Sequence, residues 1–137
     1  MLMLPATDCS LLVRTDFTSQ DAWEEVSGEA QLENADGFRA YLEPVSDPAF
    51  DGAGWQAVKA AAAAGGHSAT VLFIADTATL TAPGHPVLVV DVRSGKPPFR
   101  CLPSELWSIE NNLNLANMDW EDFAGATDEA GVFRGFG

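Results

Sequence analysis

The chain has 137 residues and a mass of 14.5 kDa, the size of one domain that buries roughly 68% of its unfolded surface around a single core. Hydrophobic residues make up 47% and charged residues 20%, which excludes a disordered chain and leaves no reason to expect a second domain within residues 1–137. Seven basic against 20 acidic side chains give a formal charge of −13 and a pI near 4.2, which opposes nucleic acid and anionic membrane as partners and points to a basic protein.

The acids are clustered. Between Arg14 and Arg39 stand Asp16, Asp21, Glu24, Glu25, Glu29, Glu33 and Asp36 with no basic residue among them. Between Arg100 and Arg134 stand Glu105, Glu110, Asp119, Glu121, Asp122, Asp128 and Glu129, again without one. Cys9 and Cys101 are far apart, with no CxxC and no histidine cluster beside them, so two reduced and largely buried thiols in a cytoplasm are expected rather than zinc or a disulfide. "MLMLP" carries no basic flank or long apolar run, and no stretch approaches the roughly 18 apolar residues of a membrane span.

In chain order, "SLLVRTDF" (10–17) has the aliphatic run of a buried first strand. "TSQDAWEEVSG" (18–28) predicts a helix with Thr18 as N-cap, Ala22, Trp23 and Val26 facing inward, and Gly28 as its stop. "FRAYLEPV" (38–45) alternates as a strand, and Pro44 restricts it to an edge or an end. "WQAVKAAAAAGG" (55–66) is a thin helix ended by paired glycines. "ATVLFIAD" (69–76) is the most apolar stretch and the expected central strand, followed by a short loop or turn. "HPVLVVDVR" (85–93) and "FRCL" (99–102) flank "SGKPP" as a hairpin.

The segment "LWSIENNLNLANMDWEDFAG" (106–125) holds two tryptophans, four asparagines and four acids and no Lys or Arg. From Ser104 as N-cap, Leu106, Ile109 and Leu113 form a buried stripe that predicts one helix to about Asn117. Asp119 then N-caps a second helix, with Met118 clasping Phe123. The expectation is an α/β domain: a single-layer mixed, partly parallel sheet of about five strands covered by helices, with a C-terminal helix pair on one face.

Three groups of residues carry chemistry. Asp16, Asp76 and Asp91 close aliphatic runs, and carboxylates at the carboxyl ends of parallel strands can hold a hard cation, so Asp16 and Asp76 are the candidate metal ligands. Asp91 is followed by Val92 and Arg93 and can instead face away from mid-strand. A phosphoryl-receiver reading fails because no basic residue follows a final strand to meet the developing anion. Arg14 sits in an apolar strand and requires a carboxylate partner, such as Asp16, unless its fork takes a ligand anion. His67 and His85 read as surface loop residues, since no nucleophile elbow accompanies them. Finally, asparagine is a poor helix former, so Asn111 and Asn114 must use their amides. They either bond neighbouring backbone or join Trp107, Glu110, Trp120, Glu121 and Asp122 in a recognition surface.

"LLVRTDF", "VLFIAD", "HPVLVVDV", "PSELWSIENNLNLANMDWEDFAG" and "GVFRGF" together resemble a family of small actinobacterial domains of unknown function. That resemblance implies a single cytoplasmic domain and brings no activity, cofactor or catalytic residue. The expected function is a non-enzymatic interaction module, inhibitor- or immunity-like, that binds a basic protein through an acidic helical surface. The alternatives are a small-molecule or metal site at the strand ends, and a homodimer built on exposed aromatics. No cofactor is expected.

Overall fold

The computed structural model describes residues 2–67 and 69–136. It is a mixed α/β domain. A six-stranded sheet is formed by β1 (Ser10–Arg14), β2 (Leu42–Val45), β3 (Val71–Ala75), β4 (Val87–Asp91), β5 (Phe99–Cys101) and β6 (Val132–Phe133), in the spatial order β2-β1-β3-β4-β5-β6. The helices are α1 (Gln20–Ala30), α2 (Trp55–Ala64), α3 (Thr77–Thr81), α4 (Leu106–Asn114) and α5 (Trp120–Ala124).

β1, β2 and β3 run parallel, β4 pairs antiparallel with both β3 and β5, and β6 runs parallel to β5. β1-α1-β2 steps to one side of β1, and β2-α2-β3 crosses back to the other. A right-handed crossover in each direction puts the two helices on opposite faces. Accordingly, Val58, Ala61 and Ala62 of α2 pack with Leu11, Val13, Leu72 and Ile74 on one face. On the other, Trp23 and Val26 of α1, Leu106 and Ile109 of α4, and Trp120 and Phe123 of α5 pack with Leu12, Phe73, Val89 and Phe133. The alternation of β1 and β3 between two buried layers is why both strands read as unbroken aliphatic runs.

The thin alanine helix has a specific contact. Leu4 donates its N–H to the Ala61 carbonyl at 3.0 Å, and a Cβ on Gly65 would stand 1.8 Å from the Leu4 carbonyl oxygen. The glycine after α2 thus admits the amino-terminal segment as well as ending the helix.

Several boundaries differ from the sequence expectation. α1 is capped by Ser19, whose hydroxyl accepts from the Ala22 N–H, and it runs through Gly28 to Ala30 because the buried stripe Trp23, Val26, Ala30 continues. β2 begins only at Leu42, since Asn34 turns the preceding chain through bonds to Asp36 and Phe38. The loop expected after Asp76 is the helix α3, closed by a capping box between Asp76 and Thr79. The sixth strand, only Val132–Phe133, comes from "GVFRGF". α5 starts from Asp119, the expected N-cap, and a capping box to Asp122 closes it.

Candidate functional site

Two regions hold several of the polar residues singled out above: the carboxyl ends of β1, β2 and β3, and the belt where α4 crosses the opposite, amino-terminal edge of those strands.

At the carboxyl ends, the chain order reverses between β1 and β3, the place where open α/β sheets form ligand crevices. Asp16 and Asp76 both stand here. Asp16 Oδ1 accepts from the Thr18 hydroxyl and N–H at 2.6 and 2.8 Å, and Oδ2 accepts from the Thr77 hydroxyl at 2.6 Å. These bonds, the Thr18 hydroxyl foremost, hold its carboxyl below the usual range despite burial. Asp76 caps α3 through Thr79 and is forked by Arg100 of β5, with Nη1 and Nη2 at 2.9 and 2.8 Å. Burial pushes Asp76 up, but Arg100 and the Thr79 N–H outweigh it and bring its pKa down. Every oxygen of the two candidate metal ligands therefore already accepts a hydrogen bond. Among the described residues, no group of three or more His, Cys, Asp or Glu is placed to hold a metal ion.

Asp91 lies elsewhere. β4 is antiparallel to β3, so its end is at the other edge of the sheet. There Asp91 accepts from Ser94 Oγ at 2.5 Å and from the N–H groups of Arg93, Ser94 and Lys96, which shapes the loop to β5.

Arg14 is 3% exposed and does not form the expected ion pair. Its Nε donates to the Asp16 backbone carbonyl at 2.9 Å, and its Nη1 donates to Gln20 Oε1 at 2.8 Å and Ser46 Oγ at 3.3 Å. The guanidinium lies 4.4 Å from the Phe17 ring centroid and 5.7 Å from that of Trp23. The Asp16 carboxylate is bonded to the two threonines and feels the guanidinium only through its charge, while the guanidinium's own donors and face meet neutral oxygens and aromatic rings.

On the α4 belt the asparagines bond backbone and neighbours. Asn111 donates to the Arg39 carbonyl at 3.0 Å, and Asn112 to the Ser108 carbonyl at 2.8 Å. Asn114 accepts from the Thr70 N–H and hydroxyl and donates to Ser10 Oγ and Glu110. Glu110 is 6% exposed, not a surface acid. It accepts from the Tyr41 N–H at 2.8 Å and from Ser10 Oγ at 3.4 Å. Helix α4 faces the sheet, so i, i+4 neighbours Glu110 and Asn114 point at the unpaired strand ends. They line a cavity of about 380 Å³.

The other predicted recognition residues separate. Trp120 is buried edge-on against Phe99, with ring centroids 4.9 Å apart, because its position in α5 faces the core. Glu121 is exposed and pairs with Lys96, and Asp122 is exposed and closes the α5 capping box. Trp107 is half-buried and stacks on Phe38, with ring centroids 5.2 Å apart at 14°. His67, read as a surface residue, is buried, and burial lowers its pKa. His85 is half-buried, with Nδ1 2.9 Å from the Thr79 carbonyl oxygen and Nε2 3.5 Å from Glu25.

Sequence reasoning missed a group of exposed apolar side chains, Leu32, Phe38 and Tyr41, in the segment joining α1 to β2. The alternation of "FRAY" assigned Phe38 to a strand face. The turn signal that contradicts it is Asn34, whose backbone N–H donates to the Phe38 carbonyl at 2.8 Å.

A family model described as a domain of unknown function, DUF6924, matches residues 9–136. The chain belongs to this family. The match takes in every strand and helix of the fold, and with it both the strand-end residues and the α4 belt. No curated protein matches the chain.

Proposed function

We propose that this domain is a non-enzymatic protein-interaction module, inhibitor- or immunity-like, that binds a basic protein in the cytoplasm rather than nucleic acid or membrane. The observation that carries this reading is the exposed stack of Phe38 on Trp107 at the surface of α4. Phe38 is 49% exposed, and Leu32 and Tyr41 beside it in the chain are 68% and 55% exposed. Aromatic side chains offered to water in a group are costly for a monomer and suit a binding hot spot. Glu33 and Asp36 are exposed in the same segment, and the exposed Asp21, Glu24 and Glu25 of α1 lead into it. This rim and the net charge of −13 favour a partner of opposite sign.

The surface is thus centred on Trp107 and the 32–41 segment. Glu110, Asn111 and Asn114 support it from within, while Trp120, Glu121 and Asp122 lie apart from it on α5.

The experiment is affinity capture from native lysate at two salt concentrations, followed by titration calorimetry with the purified captured protein. Wild type is compared with a Phe38→Ala, Tyr41→Ala double variant and with a Glu33→Gln, Asp36→Asn variant. A stoichiometric basic partner that is weakened by salt and by both variants supports the reading. Binding that ignores both variants overturns it, as does self-association through the same residues seen by light scattering.

A further inference from the structure

The start of α4 leaves two polar side chains without partners. Glu105 occupies the N-cap position, yet its carboxylate accepts no N–H from the first turn. It makes no hydrogen bond or ion pair with any described residue. Ser108, one turn further on, is 6% exposed. Its carbonyl accepts from Asn112, but its hydroxyl has no partner among the described residues and does not bond back into the helix as a mid-helix serine commonly does. The fully enclosed polar atoms without a partner are His67 Nε2 and Trp120 Nε1, so the Ser108 hydroxyl is not sealed in. Glu105 and Ser108 both line a cavity of about 310 Å³, together with Trp107, Arg134, Gly135 and Phe136.

Packed side chains fix the walls of this cavity. Trp107 stacks on Phe38, and the Phe136 ring lies against those of Phe123 and Phe133, with centroids 5.4 and 4.9 Å away. Gly135, at φ 100°, brings the chain close to the Glu105 carboxyl, where a Cβ would stand 3.0 to 3.2 Å from it. A side chain there would crowd the carboxylate, and glycine leaves it open. Arg134, the basic residue of the wall, is engaged by Asp128, with Nε 2.6 Å from Oδ2. It does not offset Glu105. The carboxyls of Asp16, Asp76, Asp91, Glu121 and Asp128 are all lowered by hydrogen-bond donors, whereas burial pushes that of Glu105 up. A half-buried carboxylate beside aromatic rings, with no donor of its own, lacks the cation or N–H groups that ordinarily stabilise its charge.

We propose that this cavity binds an organic cation, an alkyl ammonium or guanidinium group, whose N–H donors meet the Glu105 carboxylate and Ser108 Oγ and whose charge lies against the Trp107 ring. The carboxylate, the hydroxyl oxygen and the ring face all attract positive charge, and an anionic or purely apolar ligand would leave Glu105 uncompensated. The volume admits a small amine or the end of a lysine or arginine side chain. The cavity adjoins the Phe38–Trp107 surface. Where the cation is a side chain of the basic partner, the inference rests on that reading for the source of the ligand but not for the site.

The test is ¹H–¹⁵N and carboxyl ¹³C spectra of the purified protein, titrated with n-butylammonium chloride against sodium chloride at equal ionic strength, with n-butanol as the neutral counterpart. Wild type is expected to show saturable shifts of the Trp107 indole N–H and the Glu105 carboxyl carbon with the cation and none with the alcohol. Glu105→Gln keeps the shape and removes one of 20 acids, so general attraction to the chain's charge is nearly unchanged while binding should weaken roughly tenfold or more. Ser108→Ala should weaken it severalfold. Nα-acetyl-lysine amide in the same titration separates the sources: tighter binding than n-butylammonium marks a protein's basic side chain, weaker binding a free amine, and either supports the site. No saturable shift beyond that of sodium, an equal response to n-butanol, or full affinity in Glu105→Gln overturns the proposal. Ser108→Ala removes a single hydroxyl, so the result stands even where Glu105→Gln fails to fold. These titrations use no partner protein, so their outcome is read separately from the capture experiment.

Discussion

Replacing Asp76 by alanine removes two things at once. It deletes the N-cap of α3, where Oδ1 accepts from the Thr79 N–H at 3.1 Å, and it leaves Arg100 without its bidentate partner. Loss of the cap costs about 1 kcal/mol. Removing one partner from a fully buried pair costs roughly 3–5 kcal/mol and from an exposed pair roughly 0–1. With side chains 25% and 27% exposed, about 1.5–2 is appropriate, for a total of about 2.5–3 kcal/mol. An unfolding entropy of about 2.1 cal/mol/K per residue over 137 residues converts this to a fall in Tm of roughly 10 °C. Asp76→Asn retains a good cap and should fall by roughly 6 °C.

The pH dependence follows from the lowered pKa of Asp76 in the folded state. Its stabilisation is fully present above the unfolded value, near 3.9 (about), and disappears as pH falls through the lower folded value. The gap between wild type and Asp76→Ala should therefore be constant from pH 7 to about 5 and narrow below about 4, leaving mainly the cap. Melting followed by circular dichroism across that range measures both. Equal losses in the alanine and asparagine variants, or a gap unchanged at low pH, would refute a charge pair as the tie between the end of β3 and β5.

Glu110→Ala should cost about 2–3 kcal/mol in urea unfolding by stranding the Tyr41 N–H at the sheet edge, and Glu110→Gln should recover much of it. Gly65→Ala should lose more than about 2 kcal/mol, because the new methyl meets the Leu4 carbonyl and must displace the amino-terminal segment. Ala116, at φ 57°, follows α4 in the left-handed region, so Ala116→Gly should gain about 0.5–1 kcal/mol by the same assay. Burial pushes the Cys101 thiol well up, so a thiol reagent should modify half-buried Cys9 in the native protein and reach Cys101 only on unfolding.

Helices α2 and α5 were legible because their signals are local. Paired glycines stop the first, and Asp119 with Asp122 caps the second. β1 and β3 were legible because burial on both faces leaves an unbroken aliphatic run. Helix α3 was not, since its five residues, "TATLT", carry no apolar period, and only the reciprocal bonds of Asp76 and Thr79 reveal it. The two residues of β6 are too few for alternation to register. At the site, the asparagines were correctly marked as using their amides, but which groups they meet depends on where α4 crosses the strands.

What the sequence determined by itself is the layered α/β plan, the hydrophobic faces of the long elements and the acidic character of the surface, all consequences of residue spacing and composition. Tertiary structure decided the rest. The antiparallel turn of β4 sent Asp91 to the opposite edge from Asp16 and Asp76. Packing of α4 on the sheet drew Glu110 inward, and the threonines took Asp16 away from Arg14. Each of these outcomes depends on which groups meet across many residues of chain, and a charge is paired or left open by its neighbours in space rather than by those in sequence.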